Sequence, residues 1–259
     1  MPLRWIAFFA RNPLTNFTVQ FLGSGDAFGS GGRFQTCIYV DAGETRFLFD
    51  CGASSLVAMK RFGVDPCGID TILVSHFHGD HFAGIPFLIR ETQIASERTE
   101  PLLICGPAGV QDRVKSAMEI LFPGSSKMPL RFPIEFIELH DSPQRFNSLL
   151  VTSYPAVHTE GTEARSLRVE CGGKIISYSG DTEWNENLIE AARSADLFVC
   201  ESFSYDKEIK NHMSYRTLMR HREKLTCKRL ILTHMNEDLI GRLEQVELQY
   251  AEDGKTLAL

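Results

Sequence analysis

Apolar and polar residues alternate through "FTVQFLG" (17–23), "TCIYVDAG" (36–43), "TRFLFDCG" (45–52) and "TILVSH" (71–76). This period of two, broken at Gly23-Ser24-Gly25 and Ala42-Gly43-Glu44, predicts strands joined by turns. Helical spacing takes over in "SSLVAMKRFG" (54–63), which Gly63 closes. It returns in 85–98, where Ile85, Leu88 and Ile89 share a face and Pro86 fits the first turn. A strand over 101–107 and a helix over 109–122 follow. The second half repeats the rhythm, with strands over 148–158, 165–173, 174–182, 196–202 and 229–234. Its helices span 186–195 and 214–225, the latter with Ser214 as N-cap. Strands lead and helices follow in each half, so the pattern predicts an α/β fold of two sheets packed face to face with helices outside. The matching order suggests a duplicated half-domain, although no fixed-period repeat is visible.

Four of these strands run into a potential metal ligand: His76, His158, Asp181 and His234. Strand ends of a packed sheet are rigid, and the loops beyond them gather at one edge, where chemistry is usually placed. The densest cluster is "HFHGDH" (76–81). His76 and His78 are two apart and project to one side of an extended segment. Gly79 lets the chain turn, so that Asp80 and His81 face a neighbouring position. Imidazole and carboxylate are the usual ligands of zinc and similar divalent ions, and this spacing suits two adjacent ions better than one. His140 and His221 read as surface residues. Asp26, in a glycine-rich loop, is either a polar turn residue or an acceptor for a ligand histidine. Arg33 and Arg165 lie near the site loops, as phosphate contacts or as ordinary exposed arginines.

Composition sets the outer limits. The chain has 259 residues, 43% of them hydrophobic, long enough for one large domain. No run approaches the roughly 20 apolar residues that span a bilayer. Residues 1–16 lack the long apolar core and cleavage site of a signal peptide and read as an N-terminal extension. Residues 17–259 read as a single domain. Seven scattered cysteines, with no Cys-x-x-Cys pair, suit reduced core thiols in a cytoplasmic protein. The net charge of −6 leans away from a long polyanion as partner.

"SHFHGDHFAG" resembles the His-x-His-x-Asp-His signature of the metallo-β-lactamase superfamily, and "AVHT", "SGDT" and "LTH" follow in that family's order. The resemblance, which runs from about Phe17 to about Ile240, implies a four-layer αβ/βα sandwich with a two-metal site at one edge. By position, His76, His78 and His158 would hold the first ion, and Asp80, His81 and His234 the second. Asp181 would bridge them. The opening "VQFLGSGDAFGSGGRFQTCIYVDAG" is similar to the first motif of the ribonuclease Z-like, phosphodiester-hydrolysing branch. "LFVCESFSYDKEIKNHMSY" resembles that branch's downstream motif, which implies that His212 assists the leaving oxygen and Glu201 orients it.

The expectation is therefore a metal-dependent hydrolase: a dizinc phosphodiesterase in which a hydroxide bridging the ions attacks phosphorus. Manganese or iron would suit the same donor set. Asp181 stands where zinc β-lactamases usually carry cysteine, and His78 where flavodiiron proteins carry glutamate, which disfavours both. The basic Gly/Pro-rich arm of ribonuclease Z has no counterpart between His81 and His158, nor has its Lys/Arg-bearing first loop. A small phosphodiester, such as a cyclic nucleotide or sugar phosphate, thus competes with an RNA 3′ end as substrate. The alternatives are a thioester or lactone hydrolase of the same fold and a metal-binding protein without turnover. No membrane partner is expected; dimers are common among the proteins the chain resembles. Replacing Asp181 by Ala is expected to collapse the two-metal site, read as metal per chain by mass spectrometry. Full metal content and activity in that variant would contradict the assignment.

Overall fold

The structure, a computed structural model, describes residues 17–259; the segment 1–16, read above as an extension, lies outside them. Alternation in the sequence becomes two seven-stranded sheets. The first holds β1 (Thr18–Gly23), β2 (Cys37–Asp41), β3 (Arg46–Phe49), β4 (Thr71–Leu73), β5 (Leu102–Gly106) and β6 (Ile134–Glu138) in sequence order. The second holds β7 (Gln144–Phe146), β8 (Leu149–Pro155), β9 (Arg165–Cys171), β10 (Lys174–Tyr178), β11 (Leu197–Glu201), β12 (Leu230–Thr233) and β13 (Gln249–Tyr250). The chain then returns to the first sheet, where β14 (Thr256–Ala258) pairs with β1.

Both sheets are mixed in the same way. From β14 to β3 neighbours are antiparallel, and from β3 to β6 parallel. From β7 to β10 neighbours are antiparallel, and from β10 to β13 parallel. This likeness of the halves agrees with the repeated rhythm of the sequence.

Successive side chains of a strand point to opposite faces, and that sorts the core into layers. Phe47, Phe49 and Leu73 join Val151, Leu167, Tyr178 and Val199 between the sheets. The Phe49 and Tyr178 rings meet across that layer with centroids 5.8 Å apart. Leu48, Ile72 and Ile104 point the other way. They pack on α1 (Ser55–Phe62), α3 (Ile85–Ile94) and α4 (Val110–Leu121). The one-turn helix α2 (Gly79–Phe82) lies between the first two. On the far side, Phe198, Cys200 and Leu232 meet α5 (Asn187–Ala192), α6 (Tyr215–His221) and α7 (Glu237–Ile240). The result is the expected αβ/βα sandwich.

The helix signals hold in detail. Gly63 closes α1 in the left-handed region (φ 72°), and the Ser214 hydroxyl caps α6 by accepting from the Thr217 amide. The helix expected over 85–98 stops at Ile94. The edge strands β6, β7, β13 and β14 are not anticipated by the pattern. β13 and β14 are two and three residues long, too short for a period of two to register, and β6 and β7 are half-exposed. Three parallel strands, β4, β10 and β12, and the antiparallel β8 deliver their following loops to one edge of the sandwich. His76, Asp181 and His158 each stand three residues beyond β4, β10 and β8, and His234 immediately follows β12.

Candidate metal centre

The run from Ser75 to Phe82 is extended through His78 and then turns into α2, with His78 at its N-cap. His76 and His78 therefore face one space, and Asp80 and His81, on the helical turn, another. Loops from the second sheet complete each space. Donor atoms of His76, His78, His158 and Asp181 all lie within 4.8 Å of one another, as do those of Asp80, His81, Asp181 and His234. Asp181 belongs to both groups. All seven expected ligand residues thus converge in two quartets that share one carboxylate.

Local backbone geometry explains why these positions are reached. Gly180 has φ +60°, and a Cβ there would come within 2.7 Å of the Arg165 carbonyl oxygen, so only glycine can deliver Asp181 from β10. His234 itself is held at φ 59°, an uncommon conformation for a residue with a side chain.

In four of the five expected ligand histidines the outward nitrogen is engaged. His81 Nδ1 donates to Asp50 Oδ2 at 2.7 Å, and His158 Nδ1 donates to the Asn211 carbonyl at 2.7 Å. Ser75 Oγ lies 3.0 Å from His76 Nδ1, and Thr36 Oγ1 lies 3.4 Å from His234 Nδ1. A proton fixed on Nδ1 leaves the Nε2 lone pair free, the tautomer a cation needs. Three inward atoms lack protein partners, whereas His158 Nε2 lies 3.1 Å from His78 Nδ1. His76 Nε2, His81 Nε2 and Asp181 Oδ1 are buried with no hydrogen bond. His81 Nε2 is 3.1 Å from Asp80 Oδ2 and 3.3 Å from Asp181 Oδ2, but not aligned with either. Orphaned buried polar atoms are costly, and their convergence on a common space fits divalent cations well.

The electrostatics agree. Burial holds His76 well below the usual imidazole range and lowers His158 to about 4, keeping both neutral. Burial also lowers His78 and His234. Burial opposes the charge of Asp181, but His234 and His81 overcome it and hold the carboxyl well below the usual range. Asp80 is likewise depressed, burial being outweighed by His81. Of the five expected ligand histidines only His81 goes up: the carboxylates of Asp181, Asp80 and Asp50 outweigh its burial.

His212 stands beside Asp181, with Glu201 fully buried behind it. His212 Nδ1 is 3.2 Å from Glu201 Oε2 and 4.0 Å from Asp181 Oδ2. The other Glu201 oxygen accepts the Thr182 amide, which ties the pair to the Asp181 loop. His212 lies flat against Phe203, ring centroids 4.4 Å apart.

The contacts bear on the readings left open above. Asp26 receives no ligand histidine; its carboxylate accepts from Phe28 N, Ser30 N and Ser30 Oγ within its own loop. Asp50 does the work imagined for Asp26 and was missed by sequence reasoning. Its signal was an acidic residue ending the apolar strand "FLF". Both arginines have protein partners: Arg33 donates to the Ala251 carbonyl at 2.6 Å, and Arg165 pairs with Asp141. His140 is exposed as expected, whereas His221 stacks on Trp184 with centroids 4.1 Å apart. None of the seven cysteines is paired.

The family model described as anti-Pycsar protein Apyc1 matches residues 17–256. Among curated proteins, a ribonuclease Z from Agathobacter rectalis is 26% identical, with 86% of this chain and 88% of the relative covered. Among solved structures, the short form of human tRNase Z superposes with a TM-score of 0.75 at 23% identity, covering 93% of this chain and 98% of that one. A diphosphatase from the PhnP family gives the same TM-score at 18% identity, covering 94% and 98%.

Asp50 also accepts the Ser75 amide at 2.7 Å, so it fixes both His81 and the segment that carries His76. Replacing Asp50 by Asn is expected to weaken metal binding about 10- to 100-fold, measured by competition with a chromophoric chelator. Affinity equal to the parent protein's would show that Asp50 does not support the centre.

Proposed function

The chain belongs to the family described as anti-Pycsar protein Apyc1 and to the ribonuclease Z-like metallo-β-lactamase proteins, and on that premise we propose a metal-dependent phosphodiesterase acting on a small phosphodiester. The observation that carries this reading is the pair of buried quartets sharing Asp181, with the His212–Glu201 pair beside them. His76, His78 and His158 would hold one divalent cation, and Asp80, His81 and His234 a second, with Asp181 common to both. The donor set contains nitrogen and oxygen without thiolate, which suits zinc and admits manganese or iron. Such cations supply Lewis acidity, lowering the pKa of water towards neutrality and neutralising charge on phosphoryl oxygens.

The chain's own residues supply the rest. Asp80 sits among His81, His234 and Asp181, where its depressed pKa keeps it an acceptor for the attacking water. His212 turns Nδ1 towards Glu201, which leaves Nε2 to face the substrate. Burial works against a proton on His212, but the Glu201 and Asp181 carboxylates outweigh it and lift the imidazole to about 9. At neutral pH His212 therefore carries a proton that it can give to the departing alkoxide. Burial in turn pushes the Glu201 carboxyl up, and His212 partly restrains that rise.

A small substrate fits the acidic net charge and the missing basic arm. The region between His81 and His158 is taken up by α3, α4 and strands β5 to β8, which pack into the sandwich. Processing of an RNA 3′ end is the second reading, favoured by the relatives named ribonuclease Z. Residues 17–259 would act as one metallo-hydrolase domain, in the cytoplasm, where seven unpaired thiols stay reduced. Among the described residues no helix is long and apolar enough to cross a membrane. A homodimer is the assembly we expect.

The test is turnover of bis(p-nitrophenyl) phosphate by protein of known metal content, beside a panel of lactones and thioesters. Phosphodiester hydrolysis that a chelator abolishes and added zinc or manganese restores is the expected result. Turnover confined to the carbonyl panel would refute the reading. Replacing His212 by Ala should lower kcat about 10²- to 10⁴-fold with metal content retained. An unchanged kcat for an unactivated alkoxide leaving group would remove His212 from the mechanism.

A further inference from the structure

Asn211 supplies no metal ligand, yet three of its polar groups bind the loops that do. Its backbone carbonyl accepts His158 Nδ1 at 2.7 Å. Its amide donates to Glu183 Oε1 at 2.7 Å, and its side-chain Nδ2 donates to Thr159 Oγ1 at 3.0 Å. Thr159 follows His158, and Glu183 stands two residues after Asp181. Further bonds join the same two loops: Val157 N donates to Thr182 Oγ1, and Glu183 N to the Val157 carbonyl, each at 2.9 Å. The residue after Asn211 is His212.

Asn211 holds φ 72°, in the left-handed region. Asparagine enters that region more readily than most residues with a side chain, whereas a β-branched one is strongly disfavoured there. The turn points the 211 carbonyl at His158 while the next side chain reaches Glu201 Oε2 at 3.2 Å. As a result the His158 and His212 rings meet edge to face, with centroids 5.1 Å apart.

A carbonyl that accepts from Nδ1 fixes the tautomer and ring orientation of a ligand histidine. Here that carbonyl and the proton donor sit on adjacent residues, so a shift of the turn disturbs both at once. We propose that Asn211 is a positioning residue that sets His212 in register with the first quartet by holding the turn between them in its left-handed conformation. The His212 half of this inference rests on the phosphodiesterase reading above, and the metal half stands without it.

The full chain should be compared with three variants. Asn211→Val disfavours the left-handed turn, Asn211→Gly restores it, and Glu183→Ala removes the acceptor of the 211 amide. Zinc affinity, read by competition with a chromophoric chelator, should fall about 10- to 100-fold in Asn211→Val and in Glu183→Ala. At saturating zinc their kcat should fall about 10- to 100-fold on 3′,5′-cyclic AMP, whose leaving group is an alkoxide. On bis(p-nitrophenyl) phosphate, whose leaving group needs no proton, kcat should stay within about three-fold. Asn211→Gly should recover both readouts to within about five-fold of the parent.

A lower melting temperature with affinity and leaving-group dependence unchanged would overturn the proposal. So would Asn211→Gly failing as badly as Asn211→Val. If Asn211→Val does not fold, Glu183→Ala decides, and values equal to the parent's would reject the proposal. If the parent hydrolyses neither diester, the phosphodiesterase reading fails by itself. Zinc affinity then judges the turn, and equal affinity in the parent, Asn211→Val and Glu183→Ala would reject it.

Discussion

One carboxylate oxygen, Asp181 Oδ2, lies within 4.0 Å of a nitrogen from each of five imidazoles: His76, His81, His158, His212 and His234. A buried charge is tolerated only where partners surround it. These partners come from four separate parts of the chain, His76 and His81 sharing one. The imidazoles of the first half arrive through β4 and α2, and those of the second through β8, the loop after β11, and β12. The site exists only where the carboxyl ends of both sheets meet, so the inter-sheet core of Phe49, Tyr178 and Val199 is a condition for the chemistry.

The surroundings of Asp181 follow from that crowding. Its negative charge attracts protons to nearby histidines, while burial removes them. His81 has three carboxylates near it and goes up, whereas His76 and His158 are ruled by burial and stay neutral. Divalent cations between the quartets would resolve the conflict by giving the orphaned Nε2 and Oδ1 atoms a common partner. Beyond the quartets, Glu201 ties His212 to the same loop through Thr182, so His212 and the shared carboxylate are anchored together.

Much of this was legible in the residues. "HFHGDH" crowds four donors so closely that little but metal binding accounts for them, and each remaining ligand follows an apolar strand that its alternation marks. Side-chain roles set by tertiary neighbours were not legible. Asp50 looks like the polar end of one strand, and only the parallel pairing of β3 with β4 brings it to Ser75 and His81. Asp26 had the better motif context but spends its oxygens on its own turn. Arg33 and Arg165 stand near the site in sequence, yet each is taken by a partner that sequence order hides. The terminal strands β13 and β14 are set by the neighbours they pair with, which a two- or three-residue pattern cannot announce.

Anomalous diffraction from crystals loaded with zinc tests the central claim most directly. Two peaks are expected, one about 2.0–2.2 Å from donors of His76, His78 and His158, the other at that distance from Asp80, His81 and His234. Asp181 should reach both. A single peak, or zinc bound away from Asp181, would contradict the account.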